Sequence, residues 1–249
     1  MLISSISNKK IKELLELKDK KGRESNRAFI VEGINILKDI PEYISILEYV
    51  VRDDISDNEF VPRRGVAVTT VTAKVFSKIS DVKTPQGVAA IVSIRDAKFT
   101  PNCNALVLDR IRDPGNAGTL IRSAAAFGYK NVFFINGADM YSPKVVRSSM
   151  GGLFRLNLFE VNEEDLCEYV KKDKYHISAL DAGGVNIQEY VKTYRSGKPN
   201  AIIVGNEADG ISKTLLNLSD VALSIKMDDG IESLNAGVAG SLAMYILRQ

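Results

Sequence analysis

The sequence is poor in the residue types that build disulfides, metal centres and nucleophilic catalytic dyads. It has two cysteines, Cys103 and Cys167, and a single histidine, His176. Two cysteines give neither a disulfide framework nor a metal-ligand spacing, so we expect free thiols and no bound metal. Any Ser–His or Cys–His nucleophile requires His176, which lies in an apolar-flanked run typical of a strand. The chain also has no G-x-S-x-G elbow.

Long apolar runs are absent as well. No apolar stretch reaches the roughly 18 residues that a membrane span needs. The N-terminal segment lacks the basic-then-apolar order of a signal peptide. These absences predict a cytoplasmic protein with no membrane partner. At 249 residues, the chain has room for one large domain or two ordinary ones.

Positive charge is concentrated in one segment. The net charge of the whole chain is only +2, but residues 9–27 carry eight basic and four acidic side chains. Charge runs of this kind are usually solvated helix faces. The alternative is a patch that contacts RNA phosphates. Taken alone, the segment favours the solvated face.

A polar stretch at residues 95–104 separates two halves, which predicts domains at 1–97 and 98–249. Residues 11–18 show helical spacing. Four apolar runs in the first half are typical of short buried strands, which indicates a small α/β domain. These runs are AFIVEG, ISILEYVV, GVAVTTV and GVAAIVSI.

The second half alternates more regularly between apolar strands and helical stretches. This alternation predicts an α/β fold with a parallel sheet covered by helices on both faces. The predicted strands are ALVLD, NVFFIN, LNLFEV, HISALDA, AIIVGN and VALSIK. The predicted helices are 116–127, 143–150, 163–172, 212–218 and a last helix from Ser233 onward.

Three loops rich in Gly and Asn follow strands of the second half, at residues 113–128, 202–212 and 225–245. Open α/β sheets bind ligands beyond the carboxyl ends of their strands, so we expect a ligand site there. The loops contain five polar candidates for that site: Asn116, Arg122, Glu207, Ser233 and Asn235. By position alone, Asn116 is a candidate helix N-cap, and Ser233 and Asn235 are candidates to cap the last helix.

Two common nucleotide sites are disfavoured. The first loop has Gly115 and Gly118 but no G-x-G-x-x-G triplet of a dinucleotide site. The second has the glycine spacing of a P-loop, but Ile211 stands where the lysine must be. These two exclusions leave open a ligand that is held mainly by backbone groups. The last helix has a face of small residues, which suggests close approach of the sheet, a loop, the ligand or a second subunit.

At these loops the sequence resembles the SpoU-type (TrmH-like) RNA ribose methyltransferases of the SPOUT superfamily. The first family motif matches Asn116, Gly118, Arg122, Ala124 and Gly128. The second is nearly complete at residues 202–212, and a middle segment fits at 142–154. The third matches Ile225, Met227, Glu232, Ser233, Leu234 and Asn235. Order and spacing agree from Leu106 to Leu247.

The first half resembles, more loosely, the small ribosomal-protein-like RNA-binding domain often fused to these enzymes. The match lies in Asn8-Lys9, in FIVEG at residues 29–33 and in TPQG at residues 84–87. With this resemblance in view, the basic segment becomes a better candidate for phosphate contacts. The expected RNA-binding residues are Lys9, Arg23, Arg27 and Arg147.

The resemblance implies an α/β trefoil knot in the second domain, S-adenosylmethionine as cofactor, and a homodimer with the site near the subunit boundary. The cofactor is expected to contact mainly backbone at Leu180, Gly205, Ile225, Met227 and Leu234. The implied reaction is methylation of a ribose 2′-hydroxyl in structured RNA, with ribosomal RNA expected and transfer RNA as the alternative. No metal is needed because the methyl donor is already activated.

The resemblance assigns catalysis to the five polar candidates. Arg122 either accepts the proton of the 2′-hydroxyl or, as a charged guanidinium, clamps the target phosphate. Asn116 and Glu207 are expected to orient Arg122 or the substrate, and Ser233 and Asn235 to position the ribose or phosphate. Lys226, Asp229 and Gly237 depart from the family pattern. The competing hypothesis is a non-catalytic RNA-binding protein whose altered third loop cannot hold the cofactor.

Overall fold

The computed structural model describes residues 2–172, 174–193, 197–228, 230 and 233–248, and the chain forms two compact units. The first comprises Met1–Asp96 and Tyr141–Phe154, and the second comprises Ala97–Met140 and Arg155–Gln249. The expected boundary near residue 97 coincides with the first of these divisions. The segment 141–154, however, packs with the first unit, so the assignment of all of 98–249 to one domain stays a prediction.

The first unit is built on a five-stranded mixed sheet in the order β1-β4-β3-β5-β2. Its elements are β1 Leu2–Ile3, α1 Lys9–Glu16, α2 Lys20–Asn26, β2 Ala28–Glu32, α3 Ile34–Asp39, β3 Ile46–Arg52, β4 Ala67–Val71, α4 Ala73–Ile79, β5 Val88–Ser93 and α6 Pro143–Ser148. A single-turn 3₁₀ helix at Gly152–Arg155 follows α6.

The predicted elements of the first unit are all present, with small shifts at their ends. Ile11 and Leu14 are buried on α1, which agrees with the helical spacing. The side chain of Asn8 caps this helix by accepting a hydrogen bond from the Lys10 amide at 2.9 Å. The short helices α2, α3 and α4 were not predicted. They are six or seven residues long, which is too short for a clear periodic signal.

The second unit contains a six-stranded sheet in the order β11-β9-β10-β6-β7-β8, in which every neighbouring pair is parallel. Its elements are β6 Ala105–Asp109, α5 Pro114–Ala126, β7 Asn131–Ile135, β8 Asn157–Glu160, α7 Glu163–Lys172, β9 His176–Asn186, α8 Ile187–Thr193, β10 Asn200–Val204, α9 Lys213–Leu218, β11 Val221–Ser224 and α10 Ala236–Leu247. The predicted parallel α/β sheet is confirmed. The threading of a knot stays a prediction.

The central strands show why this sheet forms. All residues of β6 and β7 are buried, and so are four of the five in β10, as expected for parallel strands covered on both faces. The chain leaves β6 toward β7 on one side, while β10 lies on the other side of β6. The direction of the strand order thus reverses between β6 and β10, and ligands in such sheets usually bind at the carboxyl ends of the strands near such a reversal.

The small-residue face of the last helix packs inside the second unit. Helix α10 lies against α5 and β10. A Cβ atom on Gly240 would lie 2.4 Å from Cδ2 of Leu120 and 2.9 Å from Cγ2 of Val204, so only glycine allows this close approach. Of the alternatives open for this face, close packing on the sheet and α5 therefore accounts for Gly240.

The scarce residue types have structural roles. His176 is a buried strand residue, as predicted, with Nε2 2.7 Å from the Tyr190 hydroxyl and Nδ1 3.3 Å from Oδ2 of Asp220. Burial lowers the pKa of His176, and the charge of Asp220 partly opposes this shift. Cys103 and Cys167 are half-buried free thiols. Among the described residues, no helix combines the length and apolar character needed to cross a bilayer.

Candidate active site

A cavity of about 260 Å³ lies in the second unit, between the middle of β9, the ends of β10 and β11, and the first turn of α10. Its walls are mainly apolar side chains and backbone, and it opens to solvent. All five residues expected to contact the cofactor line it: Leu180, Gly205, Ile225, Met227 and Leu234. The fold thus brings together positions that are up to 54 residues apart in the sequence.

Polar side chains from three loops meet beside this cavity. Asn116 donates a hydrogen bond from Nδ2 to Oε1 of Glu207, which also lines the cavity. The Oδ1 atom of Asn116 accepts a hydrogen bond from Nδ2 of Asn235 at 2.9 Å. Glu207, Asn116 and Asn235 therefore form a continuous hydrogen-bonded chain, here called the polar chain. The nitrogen and the oxygen of the Asn116 side-chain amide each make a hydrogen bond, which fixes the orientation of the amide.

The helix caps differ in part from expectation. Asp113, not Asn116, caps α5: its Oδ1 accepts from the Asn116 amide at 2.8 Å, and Pro114 occupies the first helical position. Asn116 is thus inside the first turn, with its side chain available for the polar chain. Asn235 does cap α10, accepting from the Val238 amide at 3.2 Å. Ser233 precedes the cap and lines the cavity instead.

Arg122 stands apart from the other catalytic candidates. It lies on α5, is exposed, and is not among the residues that line the cavity. The structure of one chain therefore brings Asn116, Glu207, Ser233 and Asn235 together but leaves Arg122 outside the group.

A buried carboxylate holds the loop that carries Glu207. Asp109, at the end of β6, is fully buried and receives two hydrogen bonds from the Arg110 guanidinium, at 3.0 and 3.1 Å. It also accepts from the Ser212 amide at 2.7 Å. The same guanidinium donates to the Gly210 carbonyl at 3.0 Å. Sequence reasoning missed Asp109 and Arg110, although the acid that ends the apolar run ALVLD was a usable signal.

Gly205 lines the cavity and also allows the loop that follows β10 to fold back closely on itself. A Cβ atom there would lie 2.5 Å from the Gly210 carbonyl carbon and 2.6 Å from the Ile211 nitrogen. The loop folds back on itself at this point, with a bridge between Asn206 and Gly210. No side chain fits between the two backbone segments, so a glycine is required at position 205 whatever ligand the cavity holds.

Arg23 is a correction among the expected RNA-binding residues. It is 4 % exposed, and its Nη1 atom donates to the carbonyls of Leu17 and Lys18 at 2.7 and 2.6 Å. These carbonyls lie at the C-terminal end of α1, where the helix leaves its acceptors unpaired. The guanidinium therefore stabilises the junction of α1 and α2 and is not placed to reach an RNA phosphate.

The other basic candidates in the first unit differ in accessibility. Lys9 is exposed and lies 3.9 Å from Glu13, a weak surface ion pair. Arg27 is exposed and pairs with Asp96. Arg147 is half-buried on α6 and lines a separate cavity in the first unit. All three remain candidates for phosphate contacts, and Lys9 is the most accessible.

Two departures from the family pattern, Lys226 and Asp229, lie near the start of the third loop. Lys226 is exposed and is not among the cavity-lining residues. Its side chain therefore does not block the cavity, although its neighbours Ile225 and Met227 line it. Asp229 and the expected motif residue Glu232 lie outside the described residues.

Comparison with known families gives two matches that together span most of the chain. Residues 104–245 match the SpoU rRNA Methylase family, and residues 8–90 match the MRM3-like substrate binding domain. The first match covers more than half of the chain and includes the cavity and the polar chain.

Similar proteins extend over the full length. The 23S rRNA (guanosine(2553)-2′-O)-methyltransferase RlmP of Bacillus subtilis is 29% identical over 99% of this chain and 98% of its own length. The mitochondrial rRNA methyltransferase 3 of Homo sapiens is 25% identical over 92% of this chain and 69% of its own length. The AdoMet-bound rRNA methyltransferase of Sinorhizobium meliloti superposes with a TM-score of 0.85 at 27% identity, covering 100% of this chain and 97% of that chain.

The polar chain predicts energetic coupling between its members. We expect Asn116→Ala and Glu207→Ala to destabilise the protein non-additively, with a coupling energy of about 1 kcal/mol in a double-mutant cycle. The measurement is chemical denaturation of both single variants and the double variant. Asp209→Ala, in the same loop as Glu207, combined with Asn116→Ala is the matched control and should be additive. Additivity in the Glu207 cycle would show that the hydrogen bond makes no net contribution in solution.

Proposed function

The chain belongs to the SpoU rRNA methylase family, and we propose that it transfers the methyl group of S-adenosylmethionine to a ribose 2′-hydroxyl of ribosomal RNA. The observation that carries this proposal is the cavity lined by all five expected cofactor residues, with the polar chain at its edge. The names of the full-length relatives, which specify ribosomal RNA, favour it over transfer RNA as the substrate.

The cavity suits the proposed cofactor. The side chains of Leu180, Met227 and Leu234 offer apolar surface for an adenine ring, and the backbone of Gly205 offers polar groups at the cavity wall. When bound, S-adenosylmethionine supplies a methyl group on a positively charged sulfur, which needs no metal to activate it. The protein's part is to bind it, exclude water and orient the RNA.

The chemical difficulty lies with the ribose hydroxyl, which is almost wholly protonated at neutral pH. The protein must hold it in line with the methyl group and provide for its proton. We propose that Ser233, at the cavity, and the polar chain position the ribose. We further propose that Arg122 clamps the adjacent phosphate with its guanidinium, because arginine stays protonated in proteins, and that the hydroxyl proton passes to solvent, to which the cavity opens. A role as proton acceptor is the alternative.

We propose a homodimer on the basis of an exposed apolar stripe on α10. Val238, Leu242 and Tyr245 are spaced on one helical face, and they are 46, 41 and 52 % exposed. Tyr245 packs on Phe127 at the end of α5, with ring centroids 5.5 Å apart, which extends the stripe onto the helix that carries Arg122. A second copy of the chain would cover this surface in a symmetric contact.

The dimer would also account for the separation of Arg122 from the cavity. Because Arg122 is exposed on α5, the helix whose C-cap residue Phe127 packs on Tyr245, we propose that it completes the active site of the partner subunit. The cytoplasmic location expected from the sequence belongs to the same proposal.

Cofactor binding separates the methyltransferase from a non-catalytic RNA-binding protein. We expect isothermal titration of the wild-type protein with S-adenosylmethionine to show saturable heat. Leu180→Arg should weaken binding at least about tenfold, because it places bulk and positive charge in the apolar wall. Leu47→Arg, at an exposed leucine of the first unit, is the control and should bind normally. Absence of heat and of thermal stabilisation in the wild type would favour the non-catalytic alternative.

The substrate is tested by mapping ribose methylation in total RNA from cells with and without the gene. We expect loss of a 2′-O-methyl group at one position of ribosomal RNA, restored by the wild-type gene and not by Arg122→Ala. Loss from a transfer RNA would select the alternative substrate. Loss of a base methyl group would overturn the ribose assignment.

Mixed dimers test whether Arg122 acts across the subunit boundary. Arg122→Ala and Leu180→Arg homodimers should each lose activity by about a hundredfold or more. A heterodimer of the two, co-expressed with different tags, should regain roughly half of wild-type activity, because one of its two symmetric sites is then intact. If both residues serve the same subunit's site, or if the protein is a monomer, the heterodimer preparation stays inactive.

A further inference from the structure

A second cavity, in the first unit, joins two sequence motifs that the methyl-transfer site does not use. It has a volume of about 280 Å³ and lies between the end of β2, the loop before β5 and helix α6. Glu32 and Gly33 of the FIVEG motif line it, and so do Thr84 and Gln86 of the TPQG motif. Arg147 and Met150 complete it from the segment 141–154.

Hydrogen bonds hold the polar wall of this cavity in place. The Gln86 side chain accepts from the Ile34 amide through Oε1 at 2.9 Å, which ties the two motif loops together. This bond also orients the Nε2 amino group of the Gln86 amide, which remains as a hydrogen-bond donor. Gln86, Thr84 and Asn35 are all exposed at the cavity rim. They form a rim of hydrogen-bonding groups without charge.

Two half-buried side chains of opposite charge, Glu32 and Arg147, also line the cavity. The hydroxyl of Ser80 donates to Oε1 of Glu32 at 2.6 Å, and Arg147 acts on the same carboxyl through its charge. Burial raises the pKa of Glu32, while the Ser80 hydrogen bond, the Asp81 amide and the charge of Arg147 oppose the shift. A carboxyl and a guanidinium that line the same cavity can bind a ligand that carries both an amino-type donor and an anionic oxygen.

The apolar surface of the cavity comes from Ile36, Val82 and Met150. Met150 is 45 % exposed and has a φ of 46°, an unusual conformation for a long side chain. The backbone there is held in a sparsely populated conformation while an apolar side chain is kept at the surface. The conformation is a common helix ending, since Met150 directly follows Ser149, the C-cap of α6.

We propose that this cavity accepts one unpaired nucleotide of the RNA substrate, at a distance along the RNA from the methylated ribose. The proposal rests on the proposed function, since it assumes an RNA substrate. The base would lie on Ile36, Val82 and Met150, and its edge would be read by Gln86, Asn35 and Glu32. Arg147 would hold the phosphate of that nucleotide.

The combination of groups favours a nucleotide over a peptide or a small anion. Sequence-specific RNA recognition targets unstacked bases, which need an apolar platform and hydrogen-bonding groups at the base edge. Amides and carboxylates are the side chains that read base edges, and guanidinium groups bind phosphate. A simple anion would gain nothing from the apolar floor, and the carboxyl of Glu32 would repel it.

The test compares steady-state kinetics of full-length variants on ribosomal RNA isolated from cells that lack the gene. Gln86→Glu keeps the oxygen that accepts from the Ile34 amide but removes the amide donor. We expect Gln86→Glu and Arg147→Ala each to raise KM for the RNA about tenfold. The kcat and the affinity for S-adenosylmethionine should be unchanged. Arg64→Ala, at an exposed arginine of the same unit, is the control.

Base-specific chemical probing of the same RNA gives a readout that a purely structural role would not change. We expect the wild-type protein and Arg64→Ala to protect one unpaired base that Gln86→Glu leaves reactive, with unchanged thermal unfolding midpoints for all variants. If the wild type methylates the RNA while both cavity variants keep its KM and its protection pattern, the nucleotide site is wrong and the proposed function stands. If the wild type neither methylates nor protects any RNA, both proposals fall.

Discussion

The site depends on the hydrogen bonds that the buried carboxylate of Asp109 accepts. A charge removed from water must be paired and hydrogen-bonded, and here the Arg110 guanidinium and the Ser212 amide satisfy it. This anchors the loop from Gly205 to Ser212 at the end of the central strand β6. Glu207 projects from that loop to Asn116, and Asn116 in turn holds Asn235 at the start of α10. The buried carboxylate of Asp109 thus helps to position three segments that are distant in sequence: the loop from Gly205 to Ser212, the start of α5 and the start of α10.

The proposed chemistry makes this kind of rigidity useful. In the proposed reaction the methyl donor is already activated, so the protein would contribute mainly by positioning the ribose hydroxyl in line with the methyl group and by holding the adjacent phosphate. Close backbone approach at Gly205 and close helix packing at Gly240 belong to the same compact arrangement, in which an added Cβ atom at either position would collide with its neighbours. Side-chain hydrogen bonds and close backbone packing thus act together to place Asn116, Glu207 and Asn235.

The first unit shows that similar basic residues can have different roles. Within the basic segment of residues 9–27, Arg23 is buried and pairs with helix carbonyls, while Lys9 extends into solvent. Charge counts cannot separate a structural role from an RNA-binding role, because an arginine that binds helix carbonyls and one that binds an RNA phosphate have the same formal charge. The motifs around Glu32 and Gln86 behave differently again, since they meet around a cavity rather than on a flat surface.

The sequence by itself determined the strands, most of the longer helices, the parallel sheet of the second unit and the family, because apolar periodicity and motif spacing are local properties of the chain. It also identified four polar residues that the fold brings together. Only the tertiary structure showed that Asp113 caps α5, that Asp109 anchors the loop, that Arg23 is buried and that Arg122 stands away from its own cavity. The Asp113 cap and the Arg23 contacts are short-range, but they depend on where each helix begins or ends, which the periodicity does not resolve to the residue. The Asp109 anchor joins residues about a hundred positions apart, and burial and pairing at that separation are not encoded in the spacing of any one segment.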